Sequence, residues 1–66
     1  MKCKCMKEFN VSECESYSVV WETVEVDQVF HIKKEYIEYE FYVLDDLKGN
    51  EIQVDYEQFN KYFIKL

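Results

Sequence analysis

The stretch Tyr36-Ile37-Glu38-Tyr39-Glu40-Phe41-Tyr42-Val43-Leu44 shows the clearest alternation in the chain. With a period of two, Ile37, Tyr39, Phe41 and Val43 form an apolar face suited to a core. Tyr36, Glu38, Glu40, Tyr42 and Leu44 form the opposite face. Aromatic and β-branched residues fit a pleated, half-buried surface, so a single strand is expected over residues 36–44. Its chain neighbours must then pair with it.

Downstream, Asp45-Asp46-Leu47-Lys48-Gly49-Asn50 reads as a hairpin loop in which Gly49, the only glycine, takes a positive φ that other residues resist. Ile52 and Val54 follow as inward positions of a short strand. The period then changes. Asp55 is placed to cap a helix, with Gln58 three residues on to complete a capping box. Phe59, Tyr62, Phe63 and Leu66 fall at i, i+3, i+4 and i+7, and Tyr56 extends that stripe by a turn. So short a helix is marginal alone and is expected to dock across an open end of a curled sheet.

Upstream, Lys34 and Glu35 read as a turn, preceded by a strand with Phe30 and Ile32 inward and His31 and Lys33 outward. Asp27 and Gln28 form another turn. Residues 19–26 give a strand with Val20, Val24 and Val26 on one face and Trp21, Thr23 and Glu25 on the other, and residues 12–18 give a polar connection. The first strand, over 2–11, carries Cys3, Cys5, Phe9 and Val11 on one face, with a bulge at Lys7 where a charge interrupts it. Thirteen valine, isoleucine and threonine residues, twelve aromatics and no alanine favour strand throughout. The expected fold is one domain over residues 1–66: a small, mainly β, five-stranded antiparallel SH3-like barrel with a short C-terminal helix. A twisted meander with the helix across one face is the alternative.

Composition narrows function. A chain of 66 residues buries only about 60% of its unfolded surface, which argues against a deep, multi-residue active site and hence against an enzyme. Eight lysines and no arginine stand against fourteen carboxylates, for a formal charge of −6. A nucleic-acid binder needs a cationic surface, so direct nucleic-acid binding is not expected. No run of eighteen apolar residues and no basic leader is present, and a cytoplasmic protein without membrane contact or cofactor is expected.

The three cysteines cannot close a complete disulfide framework. Cys3 and Cys5 occupy core positions, where free cysteine behaves as a small hydrophobe. Zinc is the alternative, with Cys3, Cys5, Cys14 and His31 as a four-ligand inventory, although their spacing is unlike that of any zinc finger. Nucleophilic catalysis would require Cys14 to approach His31. The acidic loop after Leu44 lacks the spacing of a calcium loop and reads as a solvated turn.

The polar face of residues 36–44 stands above this background. Tyrosines alternating with glutamates combine negative charge with rigid contact area of the kind interfaces enrich. Trp21, Tyr36, Glu38, Glu40 and Tyr42 are the candidate partner-binding residues. Acids on one strand face, roughly 6.6 Å apart for Glu38 and Glu40, are spaced within the range of phosphates on an extended strand. Such a face would suit a partner with a basic nucleic-acid-binding cleft.

The opening Met1-Lys2-Cys3-Lys4-Cys5-Met6-Lys7-Glu8-Phe9, the central Val24-Glu25-Val26-Asp27-Gln28-Val29-Phe30-His31-Ile32 and the closing Asn50-Glu51-Ile52-Gln53-Val54 leading to Phe59, Tyr62 and Phe63 carry a resemblance. They resemble small proteins encoded by phages and mobile elements of low-GC Gram-positive bacteria. The lysine, glutamate, tyrosine, isoleucine and asparagine bias fits an AT-rich genome, and Gln28 stands where those proteins carry a turn glycine. The resemblance implies an SH3-like barrel and a small accessory protein of the host bacterial cytoplasm that binds and inhibits or redirects a host protein, or serves a defence system. The competing expectation is a homo-oligomeric structural or assembly module, with a homodimer as its simplest form.

Overall fold

Alternating apolar and charged residues pair this chain into one antiparallel sheet, on which a short helix and a separate two-stranded ladder close the core. The computed structural model describes residues 1–12, 17–18 and 21–66, with Tyr17 by its backbone alone. In chain order the elements are β1 (Lys2–Cys5), β2 (Phe9–Asn10), β3 (Tyr17–Ser18), β4 (Thr23–Val24), β5 (Val29–Tyr36), a 3-10 turn (Ile37–Tyr39), β6 (Phe41–Asp45), β7 (Glu51–Asp55), α1 (Tyr56–Tyr62) and β8 (Phe63–Lys65). The sheet runs β3-β7-β6-β5-β1-β8, and β2 pairs separately with β4. Each of these pairings is antiparallel. Among the described residues the sheet does not close on itself, since β3 and β8 are its edges.

The first strand keeps its expected face. Cys3, Cys5, Phe9 and Val11 are all buried, while the pairing breaks between β1 and β2 at exposed Lys7. Phe30 and Ile32 face the core as expected, and Ile52 and Val54 complete it from β7. The expected hairpin loop forms over residues 46–50, with Asp45 instead the last residue of β6, paired with Glu51, and with Gly49 at φ +91° and Leu47 at +65°. Asp46 organises it, accepting from the Lys48 and Asn50 amides at 2.8 and 3.2 Å and from the Asn50 side chain at 2.8 Å.

The deciding stretch departs most from its expectation. No strand spans 36–44: β5 ends at Tyr36, a 3-10 turn follows, and Glu40 takes a left-handed conformation before β6 begins. Lys34 and Glu35, expected as a turn, lie inside β5. The face is also reversed toward the core cluster, although Val43 is itself buried as expected. Leu44 and Tyr42 pair with Ile52 and Val54 and enter the core, whereas Ile37 and Tyr39 are 73% and 72% exposed. The reason is visible in the sequence: Phe41 to Leu44 are four apolar residues in a row, so alternation alone cannot choose between their faces. A register shift between Ile32 and Lys34 then leaves Lys33 as an extra residue and reverses the parity of β5 beyond it.

The chain end also differs. Asp55 caps α1 as expected, accepting from the Gln58 amide at 2.7 Å. The reciprocal half of the capping box is not made, because buried Gln58 Oε1 has no hydrogen-bond partner. The helix stops at Tyr62, and residues 63–65 become β8, the outer partner of β1. Phe59, Tyr62 and Phe63 remain buried while Leu66 is exposed. Phe9 stacks on Tyr62 with ring centres 4.5 Å apart, and Tyr42 lies 4.4 Å from Phe59. Each such aromatic pair adds about 0.5–1.5 kcal/mol beyond area burial. The expected strand over 19–26 is reduced to Thr23–Val24, with Val24 buried and Val26 exposed; Val20 lies outside the described residues.

Candidate functional site

The turn between β5 and β6 carries the site. Where β5 ends, Tyr36 stacks on Phe41 across the ladder with ring centres 4.7 Å apart, and Lys34 sits 4.6 Å over the Tyr36 ring. Glu40 closes the turn in the left-handed region at φ 55°, ψ 48°. Two backbone bonds hold it there: its own amide donates to Ile37 O at 3.3 Å, and its carbonyl accepts from the Tyr56 amide at 2.9 Å. The first turn of α1 is thereby fixed beside the 3-10 turn.

That contact gathers carboxylates from three elements. A shallow groove of about 320 Å³ is lined by Glu38, Tyr39, Glu40, Asp55, Tyr56 and Glu57. A second, of about 260 Å³, lies against Glu35, Tyr36, Ile37, Glu38 and Tyr39. Tyr56 bridges the two sides by donating its hydroxyl hydrogen to Glu35 Oε2. That bond, above all, pushes the Tyr56 hydroxyl up to about 12, so the phenol stays a donor and adds no negative charge of its own. The result is an acidic pole with two large apolar side chains projecting from it.

Of the sequence-predicted partner residues, Tyr36, Glu38 and Glu40 stand together at this pole. Trp21 does not: it packs edge-on against Phe30 at 5.1 Å, at the other end of β5. Tyr42 is only 8% exposed and belongs to the core. Glu38 and Glu40 are not carried on one extended strand, so the regular acid spacing expected of a phosphate-like strip is not formed. Ile37 and Tyr39 were missed as surface residues, because period two placed them inward. Tyr56, Glu57 and Asp55 were read only as helix start and cap. No local signal in the sequence couples that helix start to the turn at Glu40.

The residues of the zinc alternative diverge. Cys3 is paired with Phe30 on the core face, while His31 is paired with Lys2 on the opposite face of the sheet. Cys3 and Cys5 are buried free thiols, and Cys14 lies outside the described residues. Burial pushes Cys3 up to about 11 and Cys5 upward as well. No group of three metal-ligating side chains occurs among the described residues. The approach of Cys14 to His31 that nucleophilic catalysis would require likewise falls outside them. His31 Nδ1 instead lies 3.5 Å from Asp45 Oδ1. No helix among the described residues is long and apolar enough to cross a membrane.

No family model, curated protein or solved structure matches this chain.

Proposed function

We propose that this chain is a small SH3-like interaction module whose acidic and aromatic pole docks on a basic surface of a partner protein, inhibiting or redirecting it. The observation that carries this reading is the exposure of Ile37 and Tyr39, 73% and 72%, among the carboxylates of Glu35, Glu38, Glu40, Asp55 and Glu57. Single exposed apolar residues are ordinary, but a contiguous patch rimmed by polar groups marks contact surfaces. Here the patch sits on a turn anchored at both ends, so little ordering remains to be done on binding.

The strand order β8-β1-β5-β6-β7, with α1 leading into β8 and the long excursion between β1 and β5, supports the SH3-like assignment. Carboxylates rimming apolar side chains call for lysine or arginine around an apolar hollow in the partner. Attraction between such surfaces accelerates encounter and weakens with salt. A host protein with a basic nucleic-acid-binding cleft has that chemistry, which agrees with the accessory role implied by the phage-type sequence resemblance.

The test is affinity capture on the immobilised protein from a lysate of the encoding organism or its host. The unaltered chain and a control changed at exposed Leu47 in the β6–β7 loop, Leu47→Asn, should retain one defined protein. Ile37→Ser combined with Glu38→Lys and Tyr39→Ser should lose it at an unchanged urea midpoint. Retention by that folded triple variant would remove the pole as the contact surface.

A further inference from the structure

His31 and Asp45 stand opposite one another in the β5–β6 ladder. His31 Nδ1 lies 3.5 Å from Asp45 Oδ1, and both atoms are buried with no hydrogen-bond partner. They border a hollow of about 90 Å³ that Lys2 and Asp46 also line. Two buried polar atoms left facing each other unmatched cost free energy. The Asp45 side chain is only 14% exposed, so its charge is weakly screened by solvent. Neither residue belongs to the acidic pole, which lies at the other end of β5.

A proton on the ring removes the mismatch. Neutral imidazole carries a single hydrogen, and with that hydrogen on Nε2 it turns a lone pair toward the carboxylate. Imidazolium carries hydrogen on both nitrogens, so Nδ1 then donates to Asp45 in a charge-assisted bond about twice as strong as a neutral one. Charged groups reach the pair from each neighbouring strand. Lys2 stands opposite His31 on β1 and opposes a charge on the ring. Glu51 stands opposite Asp45 on β7 and is engaged by Lys33 of β5, which also senses Asp45. Asp46 is occupied by Lys48 and Asn50 within its own loop. Asp45 is the carboxylate that the ring meets. We infer that His31 and Asp45 form a proton-operated clasp between β5 and β6, closed by the charged imidazole and released by the neutral one.

The clasp sits just before the register shift between Ile32 and Lys34 and at the end of β6 from which the 46–50 loop departs. Stacking of Tyr36 on Phe41 fixes the opposite end of the same ladder. Stability drawn from the clasp is present where imidazole is charged and is lost as pH rises through its titration, between about pH 5 and about pH 8. Asp45 must stay ionised, so the window also closes from below, where carboxylates take up protons near pH ~4. The ladder is therefore held most firmly in mildly acidic solution. This inference is independent of what the pole binds.

A double-mutant cycle by urea denaturation reads the clasp, because effects of pH on the rest of the chain cancel within it. His31→Gln, Asp45→Asn and the double variant are compared with the unaltered chain at about pH 5.5 and about pH 8. The two residues should couple about two- to fivefold in the unfolding equilibrium constant at the lower pH and far less at the higher. His31 is the only histidine, so the unaltered chain gives a second reading that needs no variant. In a nitrogen–proton NMR spectrum at the lower pH, the hydrogen on ring Nδ1 should exchange with water more slowly than in free histidine. Coupling that is absent, equal at the two pH values or larger at the higher one would overturn the inference. So would an Nδ1 hydrogen that exchanges as fast as in free histidine.

Discussion

Cys3 and Cys5 sit side by side on the core face of β1, both fully buried. The first strand gave them away in the sequence, because Phe9 and Val11 continue the same face and lysines occupy the other. The Cys3 thiol is pushed up from 9.0 to about 11, first by burial and then by its neighbour Cys5. An acid whose pKa rises on folding binds its proton more tightly in the native state. Its contribution to stability is then complete below about pH 9 and is lost as pH rises through about 11. The urea midpoint should decline across that window, and Cys3→Ala should decline less steeply over it than the unaltered chain. Parallel profiles would show that Cys3 ionisation does not contribute.

At the scale of elements, the hairpin between β6 and β7 was legible because Gly49 marks the positive-φ position and Ile52 and Val54 have charged or polar neighbours on both sides. The helix start was legible through Asp55, whose side chain does accept from the Gln58 amide. The helix end was not: Phe59, Tyr62 and Phe63 satisfy a helical stripe, yet Phe63 serves the core equally well as the first residue of a strand against Cys5. The break after Tyr36 was hidden by a regular alternation that continues through the turn. A glutamate rather than glycine at the left-handed position removed the usual marker. Left-handed backbone costs about 1–2 kcal/mol for a residue with a side chain. Glu40→Gly, which removes that cost but gains chain entropy when unfolded, should stabilise the fold by about 1 kcal/mol by urea denaturation. Destabilisation instead would mean that the glutamate side chain holds the turn.

Over the whole molecule, charge is unevenly placed. The −6 of the chain is concentrated where the 3-10 turn meets the start of α1, while Lys2 and Lys4 share the outer sheet face with Asp27, Asp45 and Asp46. Composition showed the excess of acid and aromatic residues. Only the fold shows which of them meet, because Glu38 and Glu57 are joined by the bond between the Tyr56 amide and the Glu40 carbonyl and by no pattern within either segment. This pole is the proposed place at which the molecule is bound. The most direct measurement is an amide chemical-shift titration of the labelled chain with the captured partner. The largest changes should fall at residues 35–41 and 55–57 and diminish with added salt. Changes confined to other parts of the molecule, with this pole unmoved, would contradict it.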